Sequence, residues 1–134
     1  MKPSFGHLRG RVLVVGEKES AAKLLETLSG SGYFCAAADG ADNVLSAAAK
    51  LKPEAILLSA PATEAGEALE IIRASEALRD IPVLADLSRA RSEGLRKLSV
   101  EDFVNTHDEL PRRLEAAMRA RRLLAREKIG RAHV

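Results

Sequence analysis

The fold class this sequence predicts is a doubly wound α/β domain, five parallel strands covered on both faces by helices. Three observations predict it. Short apolar runs rich in Val, Ile and Leu recur along the chain, amphipathic stretches with apolar residues three and four apart stand between them, and the connections are short. Continuous rather than alternating apolar runs mark strands buried on both faces. Strand and helix in alternation mark a parallel sheet, whose right-handed crossovers gather the C-terminal ends of the strands on one functional edge.

Taken in order, Val12-Leu13-Val14-Val15 is a compact β-branched run and the first strand. Ser20 to Leu28 is a helix in which Leu24, Leu25 and Leu28 recur at helical spacing, with Gly30 and Gly32 supplying the stop. Tyr33 to Ala38 is the second strand. Asp42 is placed to cap a helix through Val44, Leu45 and Ala48 to Leu51, which Pro53 ends. Ala55-Ile56-Leu57-Leu58 is the third strand, and Ala65 to Ala74 is a helix carrying Leu69, Ile71 and Ile72. Ile81 to Ala85 is the fourth strand, with Pro82 near its start, where a lost N–H is tolerable. A short helix spans Arg91 to Leu98, and Asp102-Phe103-Val104 is the brief fifth strand. The last helix begins near Leu110, with Pro111 in its first turn, and continues to about Lys128.

The 134 residues suit one domain, and 46% hydrophobic with 30% charged residues is globular usage that excludes a disordered chain. No apolar run approaches the ~20 residues that cross a bilayer, so membrane insertion is not expected. The single cysteine, Cys35, permits neither an intramolecular disulfide nor a Cys-based zinc site, which fits a reducing, cytoplasmic setting. Aromatics at 3% and no Trp leave little material for base stacking. The net charge of +2 divides unevenly: residues 1–109 carry 13 basic against 17 acidic side chains, and residues 110–134 carry 8 against 2. An acidic body therefore ends in a basic helix. Residues 1–10 read as a loose leader, 11–122 as the domain, and 123–134 as a helix extension or linker whose last five residues, from Gly130, fray.

Several local sequences, none sufficient by itself, resemble the receiver domain of two-component response regulators over about residues 11–122. They are Arg11-Val-Leu-Val-Val in strand one, Ser31-Gly-Tyr opening strand two and Ala38-Asp39-Gly40 after it, together with Pro53-Glu-Ala-Ile-Leu-Leu-Ser59 and Ile81-Pro82-Val83-Leu84. The resemblance implies a flavodoxin-like, (βα)5 fold with an extended C-terminal helix and a place in phosphorelay signal transduction. It also implies a site: an acidic pair after strand one to hold Mg²⁺, an aspartate nucleophile after strand three, a Ser/Thr after strand four and a lysine after strand five. A hard dication wants carboxylate oxygens, an acyl phosphate needs a carboxylate nucleophile, and a lysine neutralises developing charge.

Carried across position by position, the acidic pair falls on Gly16 and Glu17, the nucleophile on Ser59, the hydroxyl on Leu87 or Ser88, and the lysine on Thr106, followed by His107. One carboxylate of the pair survives and the nucleophile does not. Pro61 and Gly66 lie closer to Ser59 than the family pattern has them, and the stretch from Ser88 to Thr106 is short by about one helical turn, which predicts a stunted fourth helix. No catalytic residue is therefore assigned and no enzyme is expected: the chain reads as a non-phosphorylatable pseudo-receiver.

Glu17, Glu19, Asp86 and His107 all fall near the C-terminal edge of the sheet, either as solvated loop charges or as a transition-metal trio, and Glu17, Asp86 and Ser59 form an alternative, unconventional signalling site. His7 and His133 sit in the tails, and Cys35 reads as a small core residue. No glycine-rich phosphate loop follows any strand, so no cofactor is expected. On the last helix, Leu110, Leu114, Ala117, Met118, Arg121 and Leu124 make one stripe that docks on the sheet. Leu110, Leu114, Met118, Arg121 and Leu124 are the candidate interaction residues. Beyond about Ala120 the helix outruns the sheet and exposes Leu123, Leu124 and Ile129 unless another chain or domain meets them. Arg112, Arg113, Arg119, Arg121, Arg122, Arg126 and Lys128 ring the same helix. The partner expected is a second copy or an output domain. Nucleic-acid binding by the basic helix is the weaker alternative, since no second recognition element accompanies it.

Overall fold

The computed structural model describes residues 9–88 and 94–132. Five strands, β1 (Gly10–Val15), β2 (Tyr33–Ala38), β3 (Ala55–Leu58), β4 (Val83–Asp86) and β5 (Asp102–Val104), form one parallel sheet in the order β2-β1-β3-β4-β5. Among the described residues four helices connect and close it: α1 (Lys18–Gly30), α2 (Val44–Leu51), α3 (Ala62–Ala74) and α4 (Leu110–Ala132). The strand order explains the continuous apolar runs. β1 and β3 are central, so Val12–Val15 and Ala55–Leu58 are wholly buried.

Alternation along each strand sends side chains to two separate cores. Leu13, Val15, Ile56 and Leu58 meet Val44, Ala48 and Leu51 of α2 and Ala65, Leu69 and Ile72 of α3 on one face. Val12, Val14, Leu57 and Leu84 meet Leu24 and Leu28 of α1 and Leu110, Leu114 and Met118 of α4 on the other. The order reverses between β1 and β3, and in a doubly wound sheet the crevice lies where the loops leaving those strands part to opposite faces.

Several details differ from the sequence-based expectations. Asp42 caps nothing: it lies inside a 3-10 turn, Ala41–Asn43, and Asn43 precedes α2, its side-chain amide donating to the Asp39 carbonyl at 2.6 Å. α3 starts three residues before Ala65, because Pro61 supplies a fixed φ of −57° and its carbonyl accepts the Ala65 N–H at 2.8 Å. α4 passes Lys128 and takes in Gly130 to Ala132, residues read as fraying tail. The predicted helix Arg91–Leu98 begins outside the described residues; its described part is a single 3-10 turn, Leu95–Lys97, entered through Gly94 at φ 88°. His7 and His133 lie outside the described residues, as does most of the leader.

Candidate functional site

The loops after β1, β3, β4 and β5 bring every carried-over position to the C-terminal edge of the sheet, and the sequence dictates how closely they meet. Gly16 follows β1 and donates its N–H to the Ala38 carbonyl at 3.0 Å, while Ser59, just past β3, donates its N–H to the Val15 carbonyl at 2.7 Å. These ladder bonds press the two loops together. A Cβ at position 16 would fall inside the van der Waals shell of the Ser59 carbonyl oxygen. Glycine is thus needed there for close approach of backbone to backbone, and the space an acidic side chain would fill is closed.

Glu17 precedes α1, is exposed, and makes no side-chain capping bond. Glu19 is exposed in the first turn of α1. Thr106, beyond β5, is exposed, its hydroxyl 3.4 Å from Glu109 Oε1. The ambiguity between Leu87 and Ser88 resolves into two different roles. Leu87 is buried and donates its N–H to the Val104 carbonyl at 2.8 Å, whereas Ser88 is exposed and turns back on Asp86.

Asp86 is the centre of what polar structure the edge retains. It ends β4 and is 2% exposed, as is Ser59. The Ser59 hydroxyl donates to its Oδ2 at 3.2 Å, the Ser88 N–H and hydroxyl donate to its Oδ1 at 2.9 and 2.5 Å, and His107 Nε2 lies 3.7 Å from Oδ2. A buried carboxylate is tolerated when its lone pairs are satisfied in this way. Of the four residues read as a possible metal trio, the structure joins Asp86 and His107 and leaves Glu17 and Glu19 apart; among the described residues no three His, Cys, Asp or Glu side chains converge on a point. Ser59 and Ser88 complete the cluster instead. Adjacent strand ends in a sheet are neighbours, which is the signal that links positions 59 and 86.

The fold implies a magnesium ion, and the residues present do not fit one. The resemblance puts one of the two carboxylates at Gly16, which has no side chain; among the described residues Glu17 belongs to no cluster of three ligating side chains, and Asp86 already accepts bonds from Ser59 and Ser88.

The interaction stripe divides. Leu110, Leu114 and Met118, counted among the interaction residues, are instead interior, because they pack on the sheet against Val12, Leu57 and Leu84. Arg121 donates Nε to the Asp80 carbonyl at 3.2 Å, and Leu124 is exposed. Two of the ring's arginines are paired: Arg113 with Asp102 and Glu109, and Arg122 with Glu54. Across the same helix, the Tyr33 hydroxyl donates to Glu115 Oε2 at 3.2 Å; burial first, and then the Glu115 charge, raise the phenol's pKa above its ordinary value. Among the described residues no helix is long and apolar enough to cross a membrane.

Solved structures share this architecture. The signal receiver domain of a signal transduction histidine kinase from Syntrophus aciditrophicus matches over 83% of this chain and 91% of its own, with a TM-score of 0.66 at 20% identity. NtrX from Brucella abortus matches over 90% of this chain and 29% of its own, with a TM-score of 0.73 at 20% identity. The receiver domain of a sensor histidine kinase from Pseudomonas aeruginosa, crystallised with a magnesium ion in its active-site cleft, matches over 81% and 97%, with a TM-score of 0.62 at 21% identity. No protein-family model and no curated protein matches the sequence. The fold is that of receiver domains, as the resemblance in the sequence implied.

Proposed function

We propose that this chain is a pseudo-receiver: a receiver-fold domain of a two-component signalling protein that has given up phosphotransfer and acts through protein contact, with no enzymatic step of its own. The observation that carries this reading is the pairing of Gly16 with Ser59. The nucleophile position holds a hydroxyl rather than a carboxylate, and its backbone carbonyl stands where an acidic ligand at position 16 would need room. What remains, Asp86, is 2% exposed and accepts hydrogen bonds from Ser59 and Ser88, so burial rather than an open cleft is its setting.

The test is incubation of the chain with a small phosphodonor and Mg²⁺, read by intact mass, and with beryllofluoride, read by amide spectra. No added phosphoryl mass and unmoved amide resonances are expected. A stable phosphoryl adduct, or resonances near Ser59 that move with beryllofluoride, overturns the reading. A second reading, a signalling site built on Asp86 and Ser59 with Glu17, draws on the Ser59–Asp86 bond. Calorimetry with Mg²⁺, Mn²⁺ and Zn²⁺ separates the two, since the first reading expects no binding that Glu17→Ala or Asp86→Asn removes.

A further inference from the structure

The two edges of the sheet are unlike. β5 is three residues long and begins with Asp102, whose carboxylate is held by Arg113 at 3.2 Å; brevity and charge are how sheet edges are ordinarily blunted. β2 has neither device. It is six residues long, Tyr33-Phe-Cys-Ala-Ala-Ala38, with no charge and no proline, and it pairs on one side only, with β1. The carbonyls of Gly32 and Ala38 both accept N–H groups from the β1 side, so the even-numbered residues of β2 turn their backbone groups toward β1. In a parallel ladder the intervening residues turn theirs away. The N–H and C=O groups of Tyr33, Cys35 and Ala37 therefore face the open edge, and among the described residues nothing bonds them.

The side chains on that edge add a shape. Phe34 is 56% exposed, the most exposed aromatic ring among the described residues, on the face that carries α2. Beside it runs a groove of about 450 Å³ in which small apolar residues, Ala36, Ala38 and Ala47, stand with the polar Asp39, Asn43 and Lys50. The small residues on its strand side leave room there for a side chain from outside.

We infer that β2 is an interaction edge and that its partner is a second copy of this chain, the two β2 strands pairing antiparallel about a two-fold axis at Cys35. The choice follows from self-complementarity. With Cys35 opposite its copy, Tyr33 faces Ala37, so the outward backbone groups of both strands meet and satisfy one another. Phe34 then stands opposite the second copy's Ala36 at a non-hydrogen-bonded position, where side chains lie closest, and each ring reaches the alanine side of the other copy's groove. A two-fold arrangement uses up both β2 edges and closes at the dimer. The inference names a surface and a partner for the protein contact proposed above, and it stands on the edge alone, whether or not the chain accepts a phosphoryl group.

Light scattering of the full chain is expected to give twice the 14.4 kDa monomer mass. Hydrogen exchange adds the register: the amides of Tyr33, Cys35 and Ala37 should be protected at high concentration and lose that protection on dilution, while those of Phe34 and Ala36 stay protected throughout. Ala37→Pro removes an outward N–H without touching the β1 ladder, and Phe34→Lys puts a charge into the groove. Each is expected to halve the mass while circular dichroism and the melting profile remain those of a folded domain. Should Ala37→Pro fail to fold, Phe34→Lys carries the test. A monomer at every concentration overturns the inference, and so does a dimer that survives either folded variant or whose odd-numbered β2 amides exchange freely. None of these outcomes bears on phosphoryl uptake, so the two proposals fail independently.

Discussion

At position 16 even a methyl group has nowhere to go, because the Ser59 carbonyl oxygen occupies the place of its Cβ. Gly16→Ala is expected to cost about 1–3 kcal/mol in urea melts, the usual range for forcing atoms into a packed site. On the reading proposed above, a carboxylate placed at position 59 alone should not create a phosphoacceptor. Ser59→Asp sets a second carboxylate against Asp86, 3.2 Å from the present hydroxyl, and one of the pair must then hold its proton. A carboxyl pKa raised by folding stabilises below its unfolded value and loses that effect as pH rises, so Ser59→Asp should be weakest relative to wild type at neutral pH and recover toward pH 4. Cys35 gives a third expectation. Burial pushes its thiol from 9.0 up to about 12, so at pH 8 native Cys35 should react with an alkylating agent about a thousandfold more slowly than in urea. The residue types at the positions the resemblance marks, Gly16, Ser59 and Thr106 among them, are plain text in the sequence. What could not be read was which polar groups remain together. Glu17 and Asp86 look equivalent in the sequence, yet only Asp86 ends an interior strand beside Ser59.

For the elements, legibility followed burial. The continuous apolar runs of β1 and β3 and the three-and-four spacing in α1 and α3 are imposed by the cores they fill, and they placed strands and helices where the structure has them. Ends set by local backbone geometry were read less well. Asp42 has the chemistry of a cap, but the chain enters α2 through a 3-10 turn, and a proline rather than an alanine decides where α3 begins. α4 shows both behaviours in one helix. Its first turns carry Leu110, Leu114 and Met118 into the core, and its later turns carry Leu123 and Leu124, 56% and 60% exposed. Leu114→Ala should therefore cost about 2–5 kcal/mol, a buried leucine's transfer energy with its cavity term. Leu124→Ala should stay within about 0.5 kcal/mol. Equilibrium unfolding of the two variants beside wild type checks the contrast, and equal losses would show that the later turns are packed.

On the scale of the whole molecule, the uneven charge of the sequence becomes a statement about how the chain holds its own last helix. The acidic body binds part of the basic helix through Asp102 and Glu109 on Arg113, through Glu54 on Arg122, and through the Asp80 carbonyl on Arg121, all before residue 123. Exposed pairs of this kind contribute at most about 1 kcal/mol each and weaken in salt, so they orient the helix more than they stabilise it. The interior leucines do the anchoring. Residues 123–134 carry three basic side chains, Arg126, Lys128 and Arg131, against Glu127, and removing them takes the net charge from +2 to 0. A chain ending at Arg122 keeps every interior anchor and every ion pair named above. It is expected to unfold within about 1 kcal/mol of the full chain and, with β2 untouched, to keep the same assembled mass. Whatever duplex DNA the full chain retains at low salt should fall with the lost cations, along a shallow salt slope, because few phosphates are neutralised. A loss of mass on truncation would move the contact from the β2 edge to α4, and a steep salt slope that vanishes with these residues would make the helix a nucleic-acid arm.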